Sequence, residues 1–402
     1  MNDKSRCYSF ITKEQLKTVA VKKESCVIGI PRENQDIEKR VAITPETVAT
    51  LVDLGYKVVV ESGAGIPINY TDNYYSENGA EIVESPGEVF RSDIILKILP
   101  PTLNEVEMMQ KNAIVFSFMY VGRFSKHLLE AMMAKHIRGV AYELMWDDTG
   151  VSPFVTSISE IEGLTSITLA AEMLSNAHGG KGIMLGGIPG VTPTEVVIFG
   201  AGVAGTMAAK AAIALGAEVK VFDDDLVKLR TIRRDLGISV FTSTLQRNVM
   251  NNVFRSADVV IGAMRYINNR FRYRVPSDLI MGMKKGSIII DLRMAQGGCF
   301  ETTMESCLSG APAIFEKFGV LHFCEMSLSC RVARTASIAV SNVFVSLFNA
   351  IQHGGGIDHF AKFDQGFASG YYTYSGKMVN RFLADYFGLP ISDINLYIQQ
   401  SS

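Results

Sequence analysis

The sequence predicts an α/β fold of two doubly wound units, and three observations predict it. Short apolar runs alternate with helical patterns twice along the chain, once before Gly150 and once after it. Gly and Pro punctuate the joints between run and helix, where turns are needed. The chain has 402 residues, more than the ~100–200 of one ordinary domain.

The first series opens with a strand at Val27–Ile30, ended by Pro31. Thr44-Pro45-Glu46 starts a helix, since Pro suits the first turn and an acid beside it complements the free N–H groups. Gly55 ends that helix, and Lys57–Val60 forms the next strand. Gly63 and Gly65 form a turn, and Glu81–Ile82, Ile94–Lys97 and Ile114–Phe118 are further short β runs. The second series begins with a long helix over Ser159–Ser175, with Ile161, Leu164, Ile167, Ala171 and Leu174 on one face. A Gly-rich loop, Gly179–Gly190, precedes strands at Val196–Phe199 and Glu218–Phe222 with a helix to Leu215 between them. Val259–Ile261 and Ile288–Ile290 read as buried strands, and a long helix runs from Arg334 to His353. The tail, Phe360 to Ser402, reads as mostly helical.

Composition narrows the function classes. Apolar residues make up 48%, charged residues 20%, and the net charge is −2, so no global field points to nucleic acid or a membrane surface. Met1–Cys26 lacks the apolar run of a signal peptide, and no stretch of about 18 apolar residues exists, so a cytoplasmic protein without membrane spans is expected. Cys7, Cys26, Cys299, Cys307, Cys324 and Cys330 are dispersed, without Cys-x-x-Cys pairs or nearby His at zinc spacing. Reduced thiols and no metal site are expected.

The strongest local signal is Val196-Val197-Ile198-Phe199-Gly200-Ala201-Gly202-Val203-Ala204-Gly205. It reads as a buried strand, a G-x-G-x-x-G turn and a helix start. Gly200 permits the tight turn, Gly202 the close approach of a pyrophosphate, and Gly205 the packing of helix on strand. The free N–H groups of the helix start meet the phosphates. Asp223 follows the second strand, 18 residues after Gly205, where an acid takes the adenosine ribose hydroxyls and repels a 2′-phosphate. NAD is therefore expected, in a Rossmann-type domain. The alternative for Asp223-Asp224-Asp225 is a solvated acidic turn. Arg265, Arg270, Arg272 and Arg274 form a basic segment that reads as a solvated loop, or else as a contact to cofactor phosphates.

Many segments together resemble the alanine dehydrogenase family, and more distantly the nucleotide-binding subunit of proton-translocating transhydrogenase. They are Ile28-Gly29-Ile30-Pro31-Arg32-Glu33, Lys39-Arg40-Val41-Ala42-Ile43-Thr44-Pro45, Glu61-Ser62-Gly63-Ala64-Gly65, Ile95-Leu96-Lys97, Gly186-Gly187-Ile188-Pro189-Gly190-Val191, Gln296-Gly297-Gly298-Cys299-Phe300-Glu301 and Arg334-Thr335-Ala336-Ser337. The resemblance implies two doubly wound Rossmann-like domains, the first discontinuous, with a cleft between them. Residues 27–153 and 332–402 would form the substrate domain, 154–331 the NAD domain, and 1–26 an N-terminal extension. It implies NAD-dependent, reversible deamination of L-alanine to pyruvate and ammonia, in a cytoplasmic homohexamer. Arg40 would clamp the substrate carboxylate, for which a planar guanidinium is suited. Lys97, at a strand end, and Tyr120 would complete the catalytic set. Ser159, Gly200, Ala201, Gly202, Val203, Ala204, Gly205, Asp223, Lys228, Ala263 and Met264 would hold the cofactor.

The chain departs from the family pattern at proton-handling positions. Tyr120 stands where the family commonly has His, and with an ordinary pKa of ~10 it is a poor base near neutrality. Ala295 stands where an Asp precedes Gln296-Gly297-Gly298. Ser327 and Ser329 stand where Asn and Pro form a loop toward the cofactor. Asp291 occupies a different position, and Arg293 is a candidate to repurpose the loop. None of His127, His136, His178, His322, His353 and His359 falls on a family catalytic position. Two other readings follow from these losses: an NAD(H)-binding paralogue acting as sensor or partner protein, or a transhydrogenase-like nucleotide-binding subunit.

Overall fold

The computed structural model describes residues 26–265, 273–304 and 313–399. Two sheets organise them. The first contains β1 (Val27–Ile30), β2 (Lys57–Glu61), β3 (Glu81–Val83), β4 (Ile94–Leu96), β5 (Ile114–Ser117) and β6 (Arg138–Ala141). These six run parallel in the order β3-β2-β1-β4-β5-β6. The second contains β7 (Glu195–Phe199), β8 (Glu218–Phe222), β9 (Phe241–Ser243), β10 (Val259–Gly262), β11 (Ile288–Asp291), β12 (Ile314–Lys317) and β13 (Val320–Phe323). Its parallel part repeats the same order, β9-β8-β7-β10-β11-β13, with β12 antiparallel on the edge. In such sheets the strand order reverses beside the first strand, and the crevice there receives ligands.

The strands are nearly continuous apolar runs because helices cover both faces; β5, β7, β10 and β11 are buried at every residue. α1 (Pro45–Asp53) starts where the Thr-Pro-Glu signal places it, with Thr44 as N-cap. α2 (Pro153–Leu174) begins six residues before the expected start, after the Ser152 hydroxyl accepts the Val155 N–H. The expected apolar face of α2 is a correction. Leu164 is 44% exposed, while Ser159, Glu162, Gly163 and Ser166 are buried. The helix lies between the two sheets, so several faces are covered and an amphipathic stripe cannot identify the inner one. It crosses α3 (Val203–Ala214) so closely at Gly163 that a Cβ there would stand 2.3 Å from the Ala204 carbonyl oxygen.

The C-terminal part returns to the first sheet. α4 (Ala333–His353) buries Ala336, Val340, Phe344, Phe348 and Ile351 in its core. Phe344 meets Phe154 edge-on at 5.0 Å and Tyr142 at 5.4 Å, and Tyr142 stacks on Phe154 at 4.7 Å. Such ring pairs add ~0.5–1.5 kcal/mol each beyond simple burial. By length and composition the helical stretch Leu328–His353 is apolar enough to cross a membrane, and 39% of its apolar window is buried, with one face in the first core. The tail corrects the sequence reading. Helices form at Ile357–Phe363, Gln365–Ala368, Arg381–Phe387 and Asn395–Ile398, but between them lies an unexpected hairpin, β14 (Tyr371–Tyr374) and β15 (Lys377–Met378), with β14 antiparallel to β6. The first unit is thus discontinuous, as the resemblance implies. Residues 1–25 of the N-terminal extension, with Cys7, lie outside the described residues, as do Arg270, Arg272 and Cys307.

Candidate active site

The Gly-rich turn sits at the switch point of the second sheet, between β7 and β10. Gly200 has φ +121°, and a Cβ there would stand 2.5 Å from the Met264 backbone nitrogen. The structure therefore brings Ala263 and Met264 against the turn. A Cβ on Gly205 would stand 1.8 Å from the Gly200 carbonyl oxygen, so helix and turn pack only because it is absent. At Gly202 a Cβ would meet nothing within 4 Å. The protein itself does not need that glycine small. The space in front of it, at the N-cap of α3, is what a pyrophosphate would fill, with the N–H groups of Val203 and Ala204 at hand.

The three consecutive acids have three different roles. Asp223 is 1% exposed and accepts the Ala201 N–H at 2.7 Å and the Asp225 N–H at 2.9 Å. Burial raises its carboxyl above the usual range against the pull of those N–H groups and of Lys228, 4.0 Å away. Asp224 is exposed, and Asp225 caps the next helix by accepting the Val227 N–H. The solvated-turn alternative thus fits Asp224 alone. The first sheet repeats the device, for the Arg32 N–H donates to Glu61 at the end of β2 at 2.9 Å. Ser159 lies buried on α2, one turn before Glu162.

A cavity of about 1060 Å³ lies between the two units, lined by Glu38, Tyr120, Met294, Ser327, Cys330 and Arg331 among others. Arg40 lies fully buried behind Tyr120 and Glu38. Its Nε and Nη2 donate to the two Glu38 carboxylate oxygens at 2.7 Å each. Nη1 donates to the Ser329 hydroxyl at 2.9 Å, and Nη2 to the Tyr120 hydroxyl at 3.0 Å. Four of its five N–H donors are thereby used. Burial works against the Glu38 charge, yet Arg40 holds its carboxyl below the usual range. Burial pushes the Tyr120 phenol up to about 12, so it remains neutral.

Lys97 stands apart from this group. Its Nζ donates to Glu105 at 2.8 Å and Glu33 at 3.4 Å and lies over the Phe90 ring. Glu33, Glu105 and Phe90 line a second cavity of about 440 Å³. The link back to the aromatic core is the Lys97 carbonyl, which accepts the Tyr142 hydroxyl.

The loop after β11 answers the open question about Asp291 and Arg293. Asp291 accepts the N–H groups of Arg293 and Cys299 and the Thr303 hydroxyl, so it holds the loop. Ala295 packs half-buried on the first core. Arg293 reaches toward Glu162 on α2, 3.9 Å away. Glu162 accepts the Ser327 hydroxyl at 3.3 Å, and Ser327 and Ser329 hydroxyls lie 2.8 Å apart. Burial raises the Glu162 carboxyl despite Arg293 and Arg40. Arg265 corrects the solvated-loop reading. It is half-buried, and burial and then Arg293 lower its pKa, while Glu143 opposes them. Glu143 accepts the Met119 N–H, and burial raises its carboxyl to about 7.

Glu38 and Glu162 are the residues that sequence reading missed. Glu38 had a local signal, since it precedes Arg40 by two, and its carboxylate accepts both the Arg40 backbone N–H and the guanidinium. Glu162 had only the oddity of an acid beside a glycine in an apolar helix. Of the histidines, His322 is fully buried, bonded to Thr302 and the Val320 carbonyl, and burial lowers it to about 4. None lines the large cavity.

Comparison with known proteins fits this geometry. Residues 29–162 match the N-terminal domain, and residues 166–381 the C-terminal domain, described as alanine dehydrogenase/PNT. The chain is 37% identical over 319 residues to an alanine dehydrogenase of Methanococcus maripaludis, covering 79% of this chain and 84% of that one. It is 34% identical over 369 residues to an alanine dehydrogenase of Staphylococcus epidermidis, covering 91% and 98%. A solved L-alanine dehydrogenase superposes with a TM-score of 0.81 at 31% identity, over 90% of this chain and 99% of that one. A transhydrogenase from Sinorhizobium meliloti shares the fold, with a TM-score of 0.73 at 24% identity over 89% and 99%. With both of its domains matched in order, the chain belongs to the alanine dehydrogenase/PNT family.

Proposed function

We propose that the protein is an NAD-dependent oxidoreductase that deaminates L-alanine to pyruvate and ammonia, reversibly. The observation that carries this reading is the open Gly202 cradle beside the buried Asp223, together with a cavity lined by Tyr120 and Glu38 with Arg40 bonded behind them. NAD, when bound, supplies the acceptor for the hydride. Gly200–Gly205 would hold its phosphates and Asp223 its ribose, with Lys228, Ala263, Met264 and Ser159 around them. Residues 154–331 would be the nucleotide domain, and 27–153 with 332–402 the substrate domain.

The residues of the cleft orient the substrate. Arg40 offers its remaining N–H, with the Tyr120 hydroxyl beside it, to the substrate carboxylate. A two-pronged grip requires Glu38 or Ser329 to yield a donor. Lys97, held by Glu33 and Glu105, keeps its charge and shapes the end of β4. An absorbance assay of NADH formation from L-alanine, beside calorimetric titration of NADH, tests the reading. Alanine-driven NADH formation above the substrate-free rate supports it, and NADH binding without oxidation of small amino acids refutes it.

A second reading, an NAD(H)-binding protein that no longer deaminates, draws on the Glu38–Arg40 pairing and on Ala295. By resemblance the assembly would be a cytoplasmic homohexamer, which light scattering of the purified protein tests.

A further inference from the structure

Three of the four positions where the chain departs from the family pattern, Tyr120, Ser327 and Ser329, are joined to one another by hydrogen bonds through Arg40. From Tyr120 the path runs to Arg40 at 3.0 Å, to Ser329 at 2.9 Å, to Ser327 at 2.8 Å, and to Glu162 at 3.3 Å. The donors settle into one direction. Arg40 can only donate, so Ser329 accepts from it. Ser327 donates to Glu162, which leaves Ser329 to donate to Ser327. Each hydroxyl has two acceptor sites. Ser327 uses one for Ser329, and the residue lines the large cavity. The path thus ends, on one side, at a carboxylate on α2 whose side chain is 7% exposed.

We propose that Glu162, acting through the Ser327 hydroxyl, is the proton acceptor and donor of the cleft, in the role that Ala295 cannot perform. The proposal rests on the deamination reading above. The substrate ammonium first loses one proton, and the hydride with its electron pair then leaves Cα. Water adds to the resulting iminium carbon. Its proton passes to the Ser327 oxygen as the Ser327 proton passes to Glu162. The same path returns that proton to the amine nitrogen, the C–N bond breaks, and the carbonyl forms as the hydroxyl proton leaves with ammonia as ammonium. Glu162 ends as it began, and the net proton released is the one the substrate ammonium lost. Glu162 does not touch the substrate and is a positioning residue for protons.

The charges facing Glu162 are Arg293, from the loop after β11, and Arg40, from the first unit, itself paired to Glu38. Ser327 and Ser329 are neutral, and α3 presents Ala204 and Met207 at the nearby crossing. Among the described residues, the hydrogen bond and ion pair of the Glu162 side chain are with Ser327 and Arg293, not with a second acid.

The test compares wild type with Glu162→Gln, Glu162→Asp and Ser327→Ala. Ser327→Ala breaks the path while leaving the Glu162 carboxyl and Arg293 in place, and so covers the case in which Glu162→Gln folds poorly. The expected result is a loss of about a hundredfold or more in kcat for alanine in Glu162→Gln and Ser327→Ala, the range of a general acid/base. The KM for alanine and the NADH affinity should stay within about threefold. The limb of the kcat–pH profile assigned to this carboxyl should vanish in Glu162→Gln and return in Glu162→Asp. Independently of turnover, infrared difference titration of the free protein should contain a carboxyl C=O band that Glu162→Gln removes. A wild type that does not oxidise alanine refutes the functional reading and ends any catalytic use of Glu162. An active wild type with unimpaired Ser327→Ala, or with a pH profile unmoved in Glu162→Gln, overturns the relay alone. A missing infrared band overturns it too.

Discussion

Replacing Arg40 by alanine should unfold the first unit at much lower denaturant, and the penalty should depend on pH. Arg40 is 2% exposed, and its guanidinium is the sole cation paired with Glu38 among the described residues. Removing it strands a buried carboxylate and strips partners from Tyr120 and Ser329. Breaking a buried pair from one side costs ~3–5 kcal/mol, because the remaining charge stays desolvated. The pH dependence follows from the Glu38 carboxyl, which lies below its ordinary value in the wild type. A depressed carboxyl adds stability above its unfolded pKa, and that stability is lost as pH falls through the folded value. In Arg40→Ala, burial without Arg40 raises the same carboxyl instead, so Glu38 protonates readily and the penalty shrinks toward acid. Trp146, the single tryptophan, lies on the first unit, where its backbone N–H donates to the Gly366 carbonyl. Urea unfolding followed by its fluorescence therefore reads the affected part. The double variant Glu38→Gln with Arg40→Met should recover most of the loss. A penalty below about 1 kcal/mol at pH 7, or one that grows as pH falls, refutes the buried-pair argument.

Other consequences are as direct. Gly202→Val should leave thermal stability near wild type, since its Cβ meets nothing, yet weaken NADH binding about tenfold or more by filling the phosphate cradle; Gly205→Ala should destabilise the fold through its 1.8 Å clash. Calorimetry of NADH and thermal melts of both variants separate the two roles. Glu143 is raised from 4.5 to about 7, so the folded state holds its proton more tightly, and stability falls as pH rises through that window by up to about 3 kcal/mol at 1.36 per unit. Glu143→Gln should flatten this slope in urea titrations between about pH 4.5 and 7. Ala295→Asp should raise alanine deamination by about tenfold or more, as an added acid/base group would; an unchanged turnover would show that this position handles no protons here.

Local chemistry alone determined a good part of this protein. Thr44-Pro45-Glu46 started a helix, and Lys57 and Glu218 began strands, because capping residues and short β-branched runs act within a few residues. The Gly200–Gly205 turn and Asp223 were legible for the same reason, since a turn, a helix start and a strand end are all local. The tail was not. Tyr371–Tyr374 became a strand because β6 offered an edge more than two hundred residues earlier in the chain, and no local pattern announces such a partner. The inner face of α2 was hidden too, because a helix enclosed by two units has no single stripe. The site divides along the same line. Arg40, Tyr120, Ser327 and Ser329 were visible as isolated residues, but the path that links them to Glu162 spans segments from both units and exists only once the chain closes on itself. Short-range steric and capping energies are written in neighbouring residues, whereas the pairing of buried charges depends on which distant segments exclude water together.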